Sequence, residues 1–80
     1  MLKKYYAIYD KVAKNYSGLI EFRNDAVASR LFENQQKNKD SFISIKPEDF
    51  QLHYICTMED ETGEIVDNTK TLVCEGKPSE

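Results

Sequence analysis

The residue types that carry out chemistry in proteins are sparse in this chain and poorly spaced for most of it. There is one histidine, His53, and there are two cysteines, Cys56 and Cys74. Nucleophilic catalysis needs a base within hydrogen-bond reach of the attacking group. In the alternating stretch QLHYICTM, residues 51 to 58, strict pleating places His53 on one side with Ile55 and Thr57, and Cys56 on the other with Leu52, Tyr54 and Met58. The two are therefore not expected to meet. A structural zinc site wants four ligands in closely spaced pairs, and no CxxC or HxxxH spacing occurs. Glu59, Asp60, Glu61 and Glu64 crowd one turn, but without the alternating pattern of a calcium loop they read as a solvated acidic hairpin tip. The three glycines stand at 18, 63 and 76, too far apart for a phosphate-cradling loop. We expect no catalysis, no metal and no cofactor.

One pattern does point to binding. Lys3, Lys4, Tyr5, Tyr6, Tyr9, Lys11 and Lys14 interleave cations with aromatic rings near the N-terminus. Single-stranded nucleic acid is held by that combination, cations tracking phosphates and rings stacking on bases at about 1 to 3 kcal/mol per base. The candidate contact residues are Lys3, Lys4, Tyr5, Tyr9, Lys11 and Lys14, extended by Arg23 and Arg30 beside the helix start. The plainer reading is that some of these tyrosines fill the core and that the arginines make ordinary ion pairs with Asp25 or Glu33.

Composition bounds the rest. Eighty residues hold one core's worth of apolar side chains, and 40% apolar with 31% charged is the balance of a small globular domain. No apolar run reaches the ~18 residues of a membrane-spanning helix, and MLKKYYAIYDK lacks the apolar segment and cleavage site of a signal peptide. A cytoplasmic protein with reduced, buried thiols is expected. The net charge of -3 conceals a division. Residues 1 to 40 hold eight Lys or Arg against five Asp or Glu, whereas residues 41 to 80 hold three against nine. A basic half and an acidic half are a statement about partners rather than fold.

These residues must be positioned by few elements. LKKYYAIY, residues 2 to 9, reads as a strand with Tyr6 and Ile8 on one face and Tyr5, Ala7 and Tyr9 on the other. Residues 10 to 17 read as a loop, and Leu19 to Arg23 as a short strand. The helix signal is clearest after Asn24, a favoured N-cap, with Asp25 in the first turn and Val27, Ala28, Leu31 and Phe32 along one stripe, ending near Asn38 in a polar loop. Pro47 to Phe50 reads as a tight or helical turn, and 51 to 58 as a strand. Asp60 to Gly63 is a hairpin turn in which Gly63 supplies a positive φ, Glu64 to Val66 begins the return strand, and 70 to 75 makes the last one. The expected fold is α+β, a single helix on a small antiparallel sheet in the order β-β-α-β-β-β, spanning 1–75, with 76–80 a disordered tail. So small a core is marginal alone, and an exposed edge strand offers a route to a homodimer.

Four blocks taken together, YAIYD (6–10), NDAVASRLF (24–32), PEDFQL (47–52) and DETGEI (60–65), resemble in order and spacing the small non-structural protein of gokushovirus-type microviruses, phages with circular single-stranded DNA genomes. The resemblance runs through about residue 66. It implies a viral protein made in the host bacterial cytoplasm, with no membrane association. It further implies DNA binding, single-stranded DNA being favoured, and a counterpart of the microvirus C protein acting in replication or the switch to single-strand synthesis and packaging. It assigns no binding residues. Tyr5, the cysteines and the polar stretch 34 to 41 depart from it. An alternative is a protein-interaction factor that contacts a phage or host replication protein, or the procapsid, through the acidic hairpin Glu59 to Asp67 and does not touch DNA.

Overall fold

Strand β1 (Leu2–Asp10) and strand β4 (Phe50–Glu59) lie side by side as the centre of the molecule. Both are rich in tyrosine and β-branched residues, which suit a pleated, half-buried surface. Along its other side β1 pairs with two short strands placed end to end, β2 (Asn15–Tyr16) and β3 (Ile20–Phe22). The far side of β4 pairs with β5 (Ile65–Asp67) and β6 (Thr71–Glu75). All pairings are antiparallel, giving a six-stranded sheet with β2 and β3 on one edge and β5 and β6 on the other. The computed structural model describes residues 1–77.

One helix, α1 (Asp25–Lys37), covers one face of this sheet. The Asn24 side chain accepts a hydrogen bond from the Val27 amide at 2.9 Å, and Asp25 sits in the first turn, as the capping residues dictate. From the stripe, Ala28 and Phe32 are buried, while Leu31 is only partly covered and edges a groove. The core beneath the helix consists of Tyr6, Ala28, Phe32, Ile43, Phe50, Leu52 and Tyr54. Tyr6 meets Tyr54 and Phe22 edge to face, with ring centroids 5.6 and 5.5 Å apart, the arrangement the ring quadrupoles favour.

The α+β arrangement is as the sequence predicts, with two small additions. Residues 15 and 16 pair with β1 instead of remaining loop, and a one-turn helix, α2 (Phe42–Ile45), follows the polar stretch. Ser41 caps α2 and Ile43 is buried from it, whereas its neighbours Phe42 and Ile45 stay exposed. Pro47–Asp49 forms a single 3₁₀ turn.

A β-bulge in β4 corrects the expected facing of its second half. Tyr5 is paired with Cys56 but Tyr6 with Tyr54, so Ile55 is the extra residue. Beyond it the alternation is inverted: Thr57 is buried on the helix side, and Cys56 and Met58 share the registers of Tyr5 and Lys3 on the open side. Cys56 therefore stands on the same face as His53, not opposite it. Both cysteines are free and half-buried rather than fully enclosed.

Glycine is required at two positions. Gly63 has φ 77° in the β4–β5 hairpin, as expected, and its amide closes the turn on the Glu59 carbonyl at 2.7 Å. Gly76 passes so close to Pro47 that a Cβ there would lie 1.8 Å from the proline carbonyl oxygen. Its amide donates to the Phe50 carbonyl, and the Lys77 amide donates to Gln36 on α1. Of the expected tail 76–80, the first two residues are thus hydrogen-bonded, and 78–80 lie outside the described residues.

Candidate nucleic-acid interface

The sheet has two faces and α1 covers one of them. On the other, pleating from β1 brings up Lys3, Tyr5, Ala7 and Tyr9, and register adds Tyr16 from β2, Gln51, His53 and Cys56 from β4, and Leu72 and Glu75 from β6. The centre of this open face is aromatic. Tyr9 and Tyr16 lie 4.7 Å apart between ring centroids, and His53 lies 5.6 Å from Tyr9 and 5.3 Å from Tyr16. The Lys70 ammonium sits over the Tyr16 ring, 5.3 Å from its centroid, within cation–π range.

Hydrogen bonds fix the histidine in this cluster. Gln51 Nε2 donates to the Glu75 carboxylate at 2.6 Å, which turns the amide oxygen of Gln51 toward His53 Nε2 at 3.0 Å. An acceptor there requires the proton on Nε2, leaving Nδ1 to accept from the Tyr16 hydroxyl at 3.4 Å. Burial, reinforced by the Lys70 cation, holds the His53 imidazole below its ordinary pKa, so it is neutral at pH 7. With both ring nitrogens engaged, His53 makes no hydrogen bond to the Cys56 thiol. Cys56 and His53 thus share a face without being hydrogen-bonded to each other, and the imidazole is held instead within an aromatic and polar cluster.

Lys70 takes an unusual backbone conformation to reach its place. Its φ is 53°, in the left-handed region that disfavours side chains with a Cβ, and Lys14 at the β1–β2 turn has φ 60°. In that turn the Asp10 carboxylate accepts from the amides of Val12 and Ala13, and the Lys14 amide bonds back to the Asp10 carbonyl at 2.7 Å. Asp10 and Asn15 pair, which carries Tyr16 back alongside Tyr9.

A family model described as Phage ORF5 protein matches residues 3–78. The chain belongs to the Phage ORF5 protein family. It is thus a small bacteriophage protein, and comparisons with curated proteins and with solved structures give no match.

In this phage protein the eight sequence-predicted contact residues do not form one surface. Lys3, Tyr5 and Tyr9 stand on the open face, Tyr5 and Tyr9 half-buried. Lys11 and Lys14 are exposed in the β1–β2 turn, at the end of the sheet that carries Tyr9 and Tyr16. Lys4 shares the register of Phe22 and Thr57 and so belongs to the helix side, Arg30 lies on α1, and Arg23 directly follows Phe22 at the end of β3, in alternation with the open-face Glu21; all three are exposed. Lys3 is directed elsewhere: its ammonium is 3.8 Å from both Glu21 and Asp60. Asp60 and Glu59 also accept from the Met1 ammonium, so the first part of the acidic hairpin is charge-paired within the phage protein itself. Exposed pairs of this kind stabilise by no more than about 1 kcal/mol.

Three residues of the open-face cluster escape sequence reasoning as binding residues: Tyr16, His53 and Lys70. Asp10 followed four residues later by Lys14 and Asn15 is a turn signal that would have returned Tyr16 to β1. His53 is legible only as a half-exposed strand residue, and nothing local to Lys70 marks it. Among the described residues no three His, Cys, Asp or Glu side chains converge as a metal site, and no helix is long and apolar enough to cross a membrane.

Proposed function

We propose that this phage protein is a non-enzymatic single-stranded-DNA-binding protein, acting in the host cytoplasm in viral genome replication or in the switch to single-strand synthesis and packaging. The observation that carries the reading is the Tyr9–Tyr16–His53 cluster with Lys70 above it, on the sheet face that no helix covers. Aromatic rings held on a rigid sheet, inclined to one another by 45° to 84°, with ammonium groups at Lys11, Lys14 and Lys70, suit unstacked bases and the phosphates between them. Unstacked bases are required, because paired bases keep their π faces inside the duplex. The resemblance to the microvirus non-structural protein and membership of a phage family agree with this assignment.

The site is smaller than the sequence alone implies and shifted toward the β1–β2 end. Lys4 and Arg30 face the other way and serve as internal controls. The test is fluorescence anisotropy of a labelled single-stranded oligonucleotide at two salt concentrations, with a duplex of equal length alongside. Tyr16→Ala is expected to weaken single-strand binding by about ten- to a hundredfold. Lys70→Glu should weaken it and flatten the salt dependence by about one unit of slope, while Arg30→Glu leaves it within about twofold. Equal loss from Arg30→Glu and Tyr16→Ala, or no binding at low salt, overturns the assignment. No binding would direct attention to Glu61 and Glu64 of the hairpin and to a replication protein or procapsid as partner.

A further inference from the structure

We infer that two copies of this chain pair through β3, joining their sheets edge to edge across a two-fold axis at Phe22. The inference does not depend on DNA binding. Among the described residues β3 is bonded to β1 on one side only, so the other side of Ile20–Phe22 presents unpaired backbone donors and acceptors. Beside that edge lies an apolar groove of about 320 Å³, lined by Ile8, Ile20, Phe22, Leu31, Phe42 and their neighbours. Of that lining Phe42 is 60% and Leu31 43% exposed, and Leu19, next to Ile20 in the chain, is 59% exposed. An open edge backed by an apolar groove is a surface that proteins normally cover or charge.

Charge identifies the occupant as a second copy. In a two-fold antiparallel pair the facing residues must share a sheet face, so the axis passes through a residue and its own image. With the axis at Phe22, Glu21 of each copy stands opposite Arg23 of the other, giving two equivalent ion pairs, and Phe22 faces Phe22 on the helix side. One pleat position away, with the axis at Glu21, the two glutamates oppose each other and the pairing is repelled. The sequence IEFR is therefore self-complementary in one register only. The opposite edge is built against such pairing: Glu64 precedes β5, and Asp67 and Glu75 end β5 and β6. Two copies joined at β3 would also set both open faces on the same side of one continuous sheet.

Sedimentation equilibrium of the full chain without DNA, from about 1 to 200 μM, tests the pairing. A concentration-dependent dimer is expected. Glu21→Arg alone and Arg23→Glu alone each place like charges opposite one another twice per dimer and should weaken association by about tenfold. The double exchange Glu21→Arg with Arg23→Glu should restore it. Both positions are exposed, and circular dichroism of each variant separates lost pairing from lost folding. Glu64→Arg, on the far edge, is expected to leave association unchanged. A monomer across the whole range, a dimer indifferent to both single exchanges, no rescue by the double exchange, or a dimer altered by Glu64→Arg each overturns the inference. A monomer would leave the β3 edge for a strand of another protein.

Discussion

Tyr6 and Tyr54 on the helix side of the sheet, and Tyr9 and Tyr16 on the open side, are the same side chain used for two purposes. The buried pair pack edge to face and their hydroxyls are tied down. Tyr6 donates to the Asp25 carboxylate at 2.6 Å, and Tyr54 donates to Asp67 at 2.8 Å while also bonding to Thr57. Burial raises the pKa of both phenols, so they stay neutral donors, and Asp25 thereby links the first turn of α1 to the centre of β1. The open pair are held by each other and by His53, with Tyr16 exposed and the Lys70 ammonium over its ring. Composition does not distinguish the two pairs. What distinguishes them is register, since Tyr5 and Tyr6 are adjacent in sequence and lie on opposite faces.

The largest expected contrast is in stability. Tyr6→Ala empties the middle of the core and removes the partner of Asp25, and should destabilise the fold by about 3 to 5 kcal/mol. For a domain with only about 5 to 15 kcal/mol in total, that leaves little. Tyr16→Ala should cost less than about 1 kcal/mol, because its ring is exposed and its hydroxyl bond is long. Urea unfolding of the two variants beside the parent measures both. Similar losses would mean that the open cluster is a second core and that the division between the faces is wrong.

Legibility in the sequence follows the same division. The helix cap at Asn24, the buried stripe at Ala28 and Phe32, the facing of Tyr5, Tyr6 and Tyr9, and the positive φ at Gly63 are local, and each is written in residues adjacent to where it acts. The bulge at Ile55 is not local. It depends on how β4 is matched to β1, and without it Cys56 and Thr57 exchange faces. The open cluster is harder still, because Tyr9, Tyr16, His53 and Lys70 come from three strands and the β5–β6 connection, and no spacing along the chain relates them. Short-range reasoning therefore found the cations near the aromatic strand and missed the one that lies on the rings. Ile43 shows the limit of pattern reading in the core: a single buried residue between two exposed apolar neighbours has no period to detect.

Lys70 sharpens the contrast because stability and binding should respond in opposite directions. A lysine at φ 53° carries a backbone cost of about 1 kcal/mol that glycine does not. Glycine also loses more chain entropy on folding, which offsets part of the gain. Lys70→Gly should leave stability within about 1 kcal/mol of the parent, with any change upward. The same variant removes the ammonium over Tyr16 and should weaken single-strand binding. Thermal unfolding and anisotropy on one preparation give both answers. A marked fall in stability would show that Lys70 holds the β5–β6 connection in place and that its conformation has a structural cause.

The smallest expected effect is a pH dependence confined to one window, and it follows from the placement of His53. In the folded chain burial and Lys70 lower its pKa, while in the unfolded chain it titrates near its ordinary value of about 6.5. Between the folded value and about 6.5 the unfolded state therefore binds more protons, so stability rises with pH across that interval. Equivalently, the contribution is fully present above about 6.5 and is lost as pH falls toward the folded pKa. The charged groups facing the ring are Glu75, behind Gln51, and Lys70, above Tyr16. His53 is the only histidine in the chain, so a slope in urea midpoints just below about pH 6.5 that disappears in His53→Gln belongs to it. The Lys70→Gly variant should retain a shallower version of that slope, because burial, the larger cause of the lowered pKa, is left in place. If the slope survives His53→Gln, carboxylates on the acidic half of the chain control this pH range, and the neutral imidazole has no part in holding the open face together.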